Sequence, residues 1–419
     1  MKHSAEIISV GTELLLGNIT NTDARDISIM LSELGINVFY HTVVGDNPER
    51  LKDVVAIAKK RADIIITTGG LGPTCDDLTK QTLAEAFGLK LIYDEQEAET
   101  MRQYFKTRLH ANRPITQNNY QQVYLPEGCT VFHNTCGTAP GCAFEAQGVH
   151  VLMLPGPPRE CMTMFRLSAM PYLQKLSGDE IISHNLHIFG MGESSVEDRL
   201  RSRMLELQNP TLAPYAKDGE VRLRVTAKAA SADEAEALCR PVIEEVRGIL
   251  GSLIYGVDTD SLENTAYGLL KNAGKTLAAA ESCTGGLLAK RITDIPGASS
   301  VFLGSAVTYA SGAKTALVGV SPATLAAHGA VSAEVAREMA SGARRTFGSD
   351  LGIGITGLVG PDGDGSDTPV GTVFIALDAE GTIYCRSVHL GTDRQRGRTM
   401  AVHHAFDMIR RHLTGLEIE

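Results

Sequence analysis

The most reactive candidate in this sequence is Ser282, which stands where an apolar segment gives way to glycines. Residues 276–281 read as a short buried strand, Cys283 and Thr284 follow the serine, and a helix-like segment occupies residues 287–293. Such a turn can hold one hydroxyl at the edge of a sheet, because the first N–H groups of the new helix lack partners within it. The arrangement suits attack on a carbonyl carbon or the binding of an anion. Ser and Thr also cap ordinary helices, so a purely structural role stays open.

A serine hydroxyl is a weak nucleophile unless a base takes its proton. No histidine in the last third of the chain occupies an obvious loop at a strand end. Lys314 does follow such an end, because it comes soon after an apolar segment that closes at Tyr309. Small neighbours around Lys314 favour burial, which would lower the pKa of its amine and make it a base. A solvated surface lysine is the alternative.

A second reactive group lies in a glycine-rich loop, residues 69–77, that follows the apolar segment 63–68. Glycines let the backbone approach a phosphate closely, and a helix that begins behind them favours an anion. Asp76 and Asp77 would repel a bare phosphate, so a divalent cation is the natural bridge to a pyrophosphate. Glu13, after another strand, is a further candidate ligand. A helix cap with a turn, and a solvated strand end, are the structural alternatives.

The composition narrows the classes of partner. A chain of 419 residues is too long for one ordinary domain, and 43% hydrophobic with 21% charged residues is typical of a globular protein. A net charge of −10 without a basic block argues against nucleic acid as a partner. No apolar run reaches membrane-spanning length, and the first residues lack a signal-peptide core, so we expect a cytoplasmic protein without a membrane partner. Eight cysteines without a Cys-x-x-Cys pair predict reduced thiols rather than a zinc site.

Periodicity divides the chain into three predicted domains. Strands at residues 5–10, 38–43 and 63–68 alternate with helices at residues 23–34, 48–61 and 78–87. This alternation predicts a doubly wound α/β domain over residues 1–172, with its site at the carboxyl ends of the strands.

The middle of the chain, residues 173–257, reads as a small α+β module of ferredoxin-like type, in the order β-α-β-β-α-β. Residues 177–179 are a plausible linker, and residues 220–228 alternate between apolar and polar, as a half-buried strand does. We assign this module no chemistry. Residues 258–419 predict a second doubly wound α/β domain with its own strand-end loops, at Ser282 and at residues 357–365, and Ser332 is predicted to cap a helix in it.

The first domain resembles the molybdopterin-binding domain of the MoaB, MogA and MoeA proteins, and more closely the N-terminal domain of the CinA family. The motifs that carry this resemblance are Gly11-Thr12-Glu13-Leu14-Leu15-x-Gly17, Thr67-Thr68-Gly69-Gly70-Leu71-Gly72-Pro73-Thr74-x-Asp76-Asp77 and Pro155-Gly156-x-Pro158-x-Glu160. It implies a metal-dependent ADP-ribose pyrophosphatase. Asp23 departs from the family pattern, where Asn is expected, and Pro157 stands where Val is more usual.

In that interpretation, substrate and metal residues cluster around the glycine loop. The implied substrate residues are Thr68, Gly69, Gly70, Gly72 and Thr74, and the implied metal ligands are Asp76, Asp77 and Glu13.

The last domain is similar to the PncC-type deamidases of nicotinamide mononucleotide (NMN), which are held to be serine/lysine amidohydrolases. The motifs are Ala280-Glu281-Ser282-Cys283-Thr284-Gly285-Gly286, Val307-Thr308-Tyr309-x-x-x-x-Lys314, His328-Gly329-Ala330-Val331-Ser332, Gly357-x-x-Gly360-Pro361-x-Gly363 and Pro369-Val370-Gly371-Thr372-Val373. The resemblance implies Ser282 as nucleophile and Lys314 as base. Gly312 and Thr368 depart from a usual Asn and a frequent Lys.

Other residues of this domain receive supporting roles in that interpretation. N–H groups near Thr284, Gly285 and Gly286 would stabilise an oxyanion, with Tyr309 and Thr356 as polar supports. The substrate phosphate would be held by the loop at Gly357 and Gly360 or by Arg394 and Arg398.

The resemblance implies two reactions in one chain: NMN and water giving nicotinic acid mononucleotide and ammonia, and cleavage of ADP-ribose. The first reaction needs no cofactor, and the second needs a divalent metal ion. We expect these small nucleotides as partners and a homodimer as the assembly. Molybdopterin binding and a non-catalytic role in competence or DNA damage are the alternatives.

Overall fold

The computed structural model describes residues 3–108, 115–177, 180–217, 219–363 and 365–418. Residues 178–179 of the predicted linker and Asp364 of the predicted loop lie outside the described residues. By its contacts the chain divides into two compact units, Met1–Ile182 with Ala227–Ala237, and Ser183–Thr226 with Leu238–Glu419. The predicted division at residues 172 and 257 stays a prediction. In the part of the chain that the structure describes, no helix is both long and apolar enough to cross a membrane.

The first unit is built on alternating strands and helices. Its elements are β1 (Ser4–Val10), α1 (Thr12–Leu15), α2 (Thr22–Glu33), β2 (Asn37–Val44), α3 (Pro48–Ala58), β3 (Ile64–Thr68), α4 (Thr79–Phe87), β4 (Leu91–Tyr93), α5 (Glu95–Arg108), a 3₁₀ turn (Gln117–Val123), β5 (Tyr124–Pro126), β6 (Thr130–Phe132), β7 (Gly141–Ala146), β8 (Val149–Leu154), α6 (Pro158–Met164), a π turn (Phe165–Ala169) and α7 (Met170–Ser177). The main sheet has the order β2-β1-β3-β8-β7-β6, with β2, β1, β3 and β8 parallel.

Both faces of this sheet are covered, as the continuous apolar run of β3 predicts. Ile64 and Ile66 pack into one hydrophobic cluster with helix α2, whereas Ile65 packs into another with helix α3. The doubly wound prediction is therefore confirmed. The sequence pattern does not predict β4, α5 and β5, which carry a small cluster of their own around Met101.

The middle module has the predicted order of elements. They are β9 (Glu180–Ile188), α8 (Glu193–Glu206), β10 (Thr211–Lys217), β11 (Glu220–Ala229), α9 (Ala232–Leu250), a 3₁₀ turn (Gly251–Leu253) and β12 (Ile254–Val257). The sheet order is β10-β11-β9-β12, which is the ferredoxin-like arrangement. Strand β11 buries Val221, Leu223 and Val225, while Arg222 and Arg224 stay partly exposed, so the predicted alternation is confirmed.

The last part of the chain forms a second mixed α/β fold. Its elements are α10 (Leu262–Ala273), β13 (Leu277–Glu281), α11 (Leu287–Thr293), a 3₁₀ turn (Ala298–Ser300), β14 (Phe302–Val307), α12 (Ser311–Val318), α13 (Pro322–His328), α14 (Ala333–Phe347), β15 (Leu351–Gly357), β16 (Thr372–Ala379), β17 (Thr382–His389) and α15 (Arg394–Leu413). The sheet order is β14-β13-β15-β16-β17.

Strands β14, β13 and β15 are parallel, so their carboxyl ends meet at one edge of the sheet. Glycines on β15 let helix α14 pack closely on the sheet. A Cβ on Gly352 would come within 2.2 Å, and one on Gly354 within 2.3 Å, of a carbonyl oxygen of that helix. Strands β16 and β17 run antiparallel beside β15, a direction that the sequence pattern does not predict. The edge shared by the three parallel strands is where the candidate chemistry lies.

Candidate functional site

The turn at Ser282 is fixed by the strands on both sides of β13. The N–H of Ser282 donates to the carbonyl of Ile355 at 2.9 Å, and the N–H of Thr308 donates to that of Glu281 at 2.7 Å. The turn closes when Gly285 N–H donates to the Ser282 carbonyl at 3.1 Å. Gly285 and Gly286 have φ of 59° and 89°, a region that disfavours side chains, so both glycines are needed here. The serine is thus held at the end of a central, buried strand.

Lys314 and Ser282 are brought together from positions 32 residues apart. The Nζ atom of Lys314 lies 2.9 Å from Ser282 Oγ and donates to the carbonyl of Thr308 at 2.7 Å. Lys314 is only 1% exposed and Ser282 is 8% exposed. Burial lowers the pKa of the Lys314 amine from its ordinary value, because a charged ammonium is poorly solvated there. The pair has the distance and the low-polarity setting that a serine nucleophile and an amine base need.

Cys283 is the more nucleophilic residue type in the turn, but its side chain stays a protonated thiol, which does not attack. Its side chain is buried, and burial raises the pKa of its thiol to about 12. A thiol reacts through its thiolate, so Cys283 is inert near neutral pH.

Main-chain donors are available beside the serine. Among the described residues, no acceptor binds the N–H groups of Thr284 and Gly286. The hydroxyl of Thr284 is fully buried and likewise has no partner in that part of the chain. Free N–H groups at a helix start suit a developing oxyanion.

Arg398 supports the same turn from helix α15. Its Nη2 and Nε donate to the carbonyl of Thr284 at 2.7 and 3.3 Å. A Cβ on Gly285 would lie 3.4 Å from Nη2, so the guanidinium packs against the turn. This contact assigns Arg398 to holding the turn in shape, while its role in phosphate binding stays a prediction.

Arg394, one turn earlier on α15, joins two other predicted residues. It donates to the hydroxyl of Tyr309 at 2.9 Å and to the carbonyl of Gly360 at 2.8 Å. Tyr309 is 62% exposed, so the Arg394–Tyr309 pair faces the solvent.

Thr356 does not join the Arg394–Tyr309 pair, because its hydroxyl donates to the Ala330 carbonyl at 2.7 Å. Gly357 packs tightly, because a Cβ there would lie 2.7 Å from the Val373 side chain.

In the first unit, most of the predicted residues line one cleft of about 510 Å³. The predicted residues among its walls are Glu13, Gly69, Gly70, Gly72, Thr74, Asp76 and Asp77, and sequence reasoning leaves out Asp46, Gln122 and Thr138. A Cβ on Gly69 would lie 2.2 Å from the carbonyl oxygen of Val10, so only glycine fits. Thr68 lines a smaller cavity that shares Glu13 with this cleft.

The loop carboxylates are held by Thr74. Its N–H donates to Asp77 Oδ2 at 2.8 Å, and its hydroxyl, which has one proton to donate, lies within hydrogen-bond distance of a carboxylate oxygen of both Asp77 and Asp76. The hydroxyl lowers the pKa of Asp76 below its ordinary value. Within the described residues, no group of three or more His, Cys, Asp or Glu side chains is placed to hold a metal ion. The donor set therefore fits only an ion that takes one or two carboxylates here and its other ligands from phosphates and water, as Mg²⁺ does.

Three family models match the chain in succession. They are a probable molybdopterin binding domain at residues 6–175, the KH domain of damage-inducible protein CinA at residues 183–256, and the CinA C-terminal domain at residues 259–413. A CinA-like protein of Desulfovibrio desulfuricans is 48% identical over 421 residues, which cover 99% of this chain and 97% of that protein. This chain belongs to the CinA family.

Further CinA relatives are similar to this chain. A putative competence-damage inducible protein of Acetivibrio thermocellus is 46% identical over 414 residues, covering 99% of this chain and 100% of that protein. The crystal structure of CinA from Thermoplasma acidophilum matches with a TM-score of 0.37 and 30% identity, covering 41% of this chain and 98% of that chain.

In this CinA chain, Glu281 is a structural residue of the site that sequence reasoning missed. Its carboxylate is fully buried and accepts hydrogen bonds from the N–H groups of Leu288 and Ala289, both at 3.0 Å, and from the Ser305 hydroxyl at 3.1 Å. It therefore caps helix α11 across the turn that carries Ser282. An acidic residue just before a glycine turn and a helix is the signal that could have found it.

Replacing Glu281 by alanine leaves two N–H groups and one hydroxyl without their acceptor. We expect the free energy of unfolding to fall by about 3 kcal/mol, since each bond to a buried charge contributes about 1.5 kcal/mol or more. Urea unfolding of the full chain measures the loss. Glu334→Ala, at a half-exposed position in the first turn of α14, is the control and should change stability by no more than about 0.5 kcal/mol. Equal losses in both variants would contradict the capping role.

Proposed function

We propose that the C-terminal fold is a serine/lysine amidohydrolase that converts NMN to nicotinic acid mononucleotide and ammonia in the cytoplasm. The observation that carries the proposal is the 2.9 Å contact between Lys314 Nζ and Ser282 Oγ in a buried setting. NMN is proposed as the substrate because the motifs of this fold resemble those of the NMN deamidases. A histidine base is not needed, because an amine with a lowered pKa can take the serine proton.

The reaction follows from the positions of these groups. Ser282 Oγ attacks the carboxamide carbon while Lys314 Nζ takes its proton, and the carbonyl oxygen becomes an oxyanion. The N–H groups of Thr284 and Gly286 stabilise that charge. As the C–N bond breaks, Lys314 returns the proton to the departing nitrogen, and ammonia leaves. Water then hydrolyses the ester on Ser282, with Lys314 again as base, and releases the acid.

The phosphate of NMN requires a cation at the mouth of the site. Arg394 is the better candidate, because it lies beside exposed Tyr309 and the Gly360 loop. Arg398 already uses two N–H groups to hold the turn. We therefore assign phosphate binding to Arg394 and positioning of the turn to Arg398.

A second activity, cleavage of ADP-ribose to AMP and ribose 5-phosphate, is proposed for the first unit. The supporting observation is the cleft in which the Gly69–Gly72 backbone and the carboxylates of Asp76 and Asp77 line the same space. The backbone would hold the pyrophosphate, and one or two of the cleft carboxylates would hold a divalent ion that takes its other ligands from the phosphates and water. When bound, that ion supplies charge neutralisation of the phosphates.

Removing divalent metal is expected to separate the two activities. Chelation should bring ADP-ribose cleavage to background and leave ammonia release from NMN unchanged, because the serine and lysine need no metal. Both rates are measured on one preparation before and after EDTA, and again after added Mg²⁺. Loss of ammonia release on chelation, restored by Mg²⁺, would contradict the serine/lysine mechanism.

Substituting Asp76 tests the first cleft alone. Asp76→Ala should lower kcat for ADP-ribose by roughly 10²-fold or more, because a metal or phosphate-orienting carboxylate is lost. Ammonia release from NMN should keep its wild-type rate. Asp53→Ala, at an exposed position on helix α3, is the matched control and should leave both rates intact. If Asp76→Ala removed both activities together, two independent sites would be ruled out.

Molybdopterin binding is the competing function for this cleft, and the match to a probable molybdopterin binding domain favours testing it. A pterin that co-purifies with the protein would be detected by its fluorescence after release. A bound pterin together with no ADP-ribose cleavage would replace the pyrophosphatase proposal.

A further inference from the structure

Glu160 lines the first cleft, and neither proposed reaction assigns it a role. It is half-buried and lies in helix α6, which begins shortly after strand β8. Strand β8 is the neighbour of β3 in the sheet, and the loops behind the two strands touch, because a Cβ on Gly156 would lie 3.3 Å from the Cα of Gly69. Glu160 therefore follows the strand next to the glycine loop that is proposed to hold the pyrophosphate.

One oxygen of the Glu160 carboxylate is held by a buried amide. Asn134, which is 8% exposed, donates to Glu160 Oε2 at 2.7 Å and to the carbonyl of Ala139 at 2.9 Å. Its Oδ1 atom accepts from the N–H groups of Cys136 and Gly137 at 3.0 and 2.7 Å. Both donors and both acceptor positions of the amide are used, so Asn134 is fixed in the orientation that binds Glu160.

The carboxylate also packs against the backbone of Gly137. A Cβ on Gly137 would lie 2.0 Å from Glu160 Oε2 and 2.8 Å from Oε1, so the carboxylate occupies the space that a side chain there would need. The loop that orients the amide thus also provides the space for the acid. Packing and hydrogen bonding together hold the group in one position.

The second oxygen, Oε1, is available to a ligand. Among the described residues it accepts no hydrogen bond, and it is not one of the side-chain atoms that are shielded from solvent without a partner. In the same part of the chain no Lys, Arg or His forms an ion pair with Glu160. A carboxylate that is oriented through one oxygen and unpaired at the other can accept a proton from a bound water.

The other carboxylates of the cleft suit this role less well. Asp76 and Asp77 lie on the glycine loop itself, where the divalent ion is proposed to bind. Glu13 is exposed and its carboxylate accepts no hydrogen bond within the described ranges, so nothing fixes its direction. Asp46 is held at Oδ2 by the N–H and the hydroxyl of Thr12, both at 2.8 Å, but it follows β2, which β1 separates from β3.

We propose that Glu160 is the general base of ADP-ribose cleavage in the first cleft. This inference rests on the proposed pyrophosphatase and names the group that activates its water. The water oxygen attacks one phosphorus while Glu160 Oε1 takes a proton from it, and the bond from that phosphorus to the bridging oxygen breaks. The bridging oxygen leaves with the other phosphate, the proton passes from Glu160 to the solvent, and one water is consumed for each AMP and ribose 5-phosphate formed.

The test compares wild type with Glu160→Gln and Glu160→Ala in the full chain, with ADP-ribose, saturating Mg²⁺ and increasing formate. Glutamine keeps the size of the side chain and an oxygen that can accept from Asn134, whereas alanine leaves space in which formate can act as an external base. The matched control is Glu145→Gln, at an exposed position on β7. Titration calorimetry measures binding of the α,β-methylene analogue of ADP-ribose, which resists cleavage, and the Mg²⁺ concentration that this binding requires.

We expect kcat to fall by about 10²- to 10⁴-fold in both Glu160 variants, as loss of a positioned base does. The affinity for the analogue and its Mg²⁺ requirement should stay within a few-fold of wild type. Formate should raise the rate of Glu160→Ala in proportion to its concentration, but not that of Glu160→Gln, where the space is filled. Glu145→Gln should behave like wild type, and an unchanged thermal midpoint of Glu160→Gln separates catalysis from folding.

Four results would overturn the proposal, and they differ in what they leave standing. Wild-type kcat in Glu160→Gln would remove the base and leave the pyrophosphatase. Weaker analogue binding with a higher Mg²⁺ requirement would make Glu160 a ligand of the metal or the phosphates instead. A loss in Glu160→Ala that formate does not reverse would leave Glu160 a structural role only. Absence of cleavage by wild type would remove the pyrophosphatase itself and the base with it.

Discussion

Ser282→Ala is expected to abolish ammonia release from NMN, with a fall in kcat of about 10⁴-fold or more. The reason is that the alanine chain has no oxygen to form the ester, and a nucleophile that acts together with its base accounts for most of the acceleration. ADP-ribose cleavage in the same preparation should be unchanged, because its cleft lies in the other unit. Coupled measurement of ammonia and of ADP-ribose consumption provides both rates.

The neighbouring thiol supplies the matched control. Cys283→Ala should keep ammonia release within a few-fold of wild type, because the pKa of Cys283 is raised by burial and its thiolate is scarce. If activity survived in Ser282→Ala but was lost in Cys283→Ala, the nucleophile would be Cys283 and not Ser282. Full activity in both variants would show that neither Ser282 nor Cys283 is the nucleophile.

Lys314→Met is expected to lower kcat by about 10³- to 10⁴-fold, in the upper range for loss of a general acid–base group. Methionine keeps much of the length and the apolar stem, and it removes a buried amine whose desolvation is unfavourable, so the chain should fold. Lys314→Arg is the companion variant: it keeps a cation but cannot give up its proton, and it should be equally inactive. An active Lys314→Arg would mean that charge, not basicity, is required.

The pH dependence of the rate tests the same role of Lys314 without a substitution. The reactive form of Lys314 is the neutral amine, and burial lowers its pKa from the ordinary value of 10.5. Therefore kcat/KM should rise with pH and level off above that lowered pKa, before pH 10.5 is reached. The rise should be absent from the residual activity of Lys314→Met. A rate that falls with pH over this range would contradict the role of Lys314 as base.

Much of the fold is predictable because apolar periodicity is local. The five residues of β3 are buried from both sides, and β11 alternates as a half-exposed strand does. Ser332 caps helix α14 as predicted, since its hydroxyl accepts from the N–H of Val335 at 3.3 Å. The insertion around α5 and the antiparallel direction of β16 and β17 are not predicted, since strand direction depends on long-range pairing that a local pattern does not contain.

The site is less predictable than the fold, because its decisive contacts join distant segments. Lys314 lies 32 residues from Ser282, and spacing alone favours a surface lysine, so the family resemblance carries the pairing. Arg398 reaches the Thr284 carbonyl across 114 residues, and no local signal separates that support from phosphate binding. Asp23 stands out in the sequence only as a departure from a family pattern, because the burial of its Oδ1 atom depends on packing.

The most direct measurement of the central claim is product partitioning in hydroxylamine. An ester on Ser282 can be cleaved by water or by hydroxylamine, so NMN should give nicotinic acid mononucleotide and its hydroxamate, with the hydroxamate share rising with hydroxylamine. Both products, and ammonia, should disappear together in Ser282→Ala. Formation of the acid alone at every hydroxylamine concentration, or hydroxamate formation that survives in Ser282→Ala, would contradict an acyl-enzyme on Ser282.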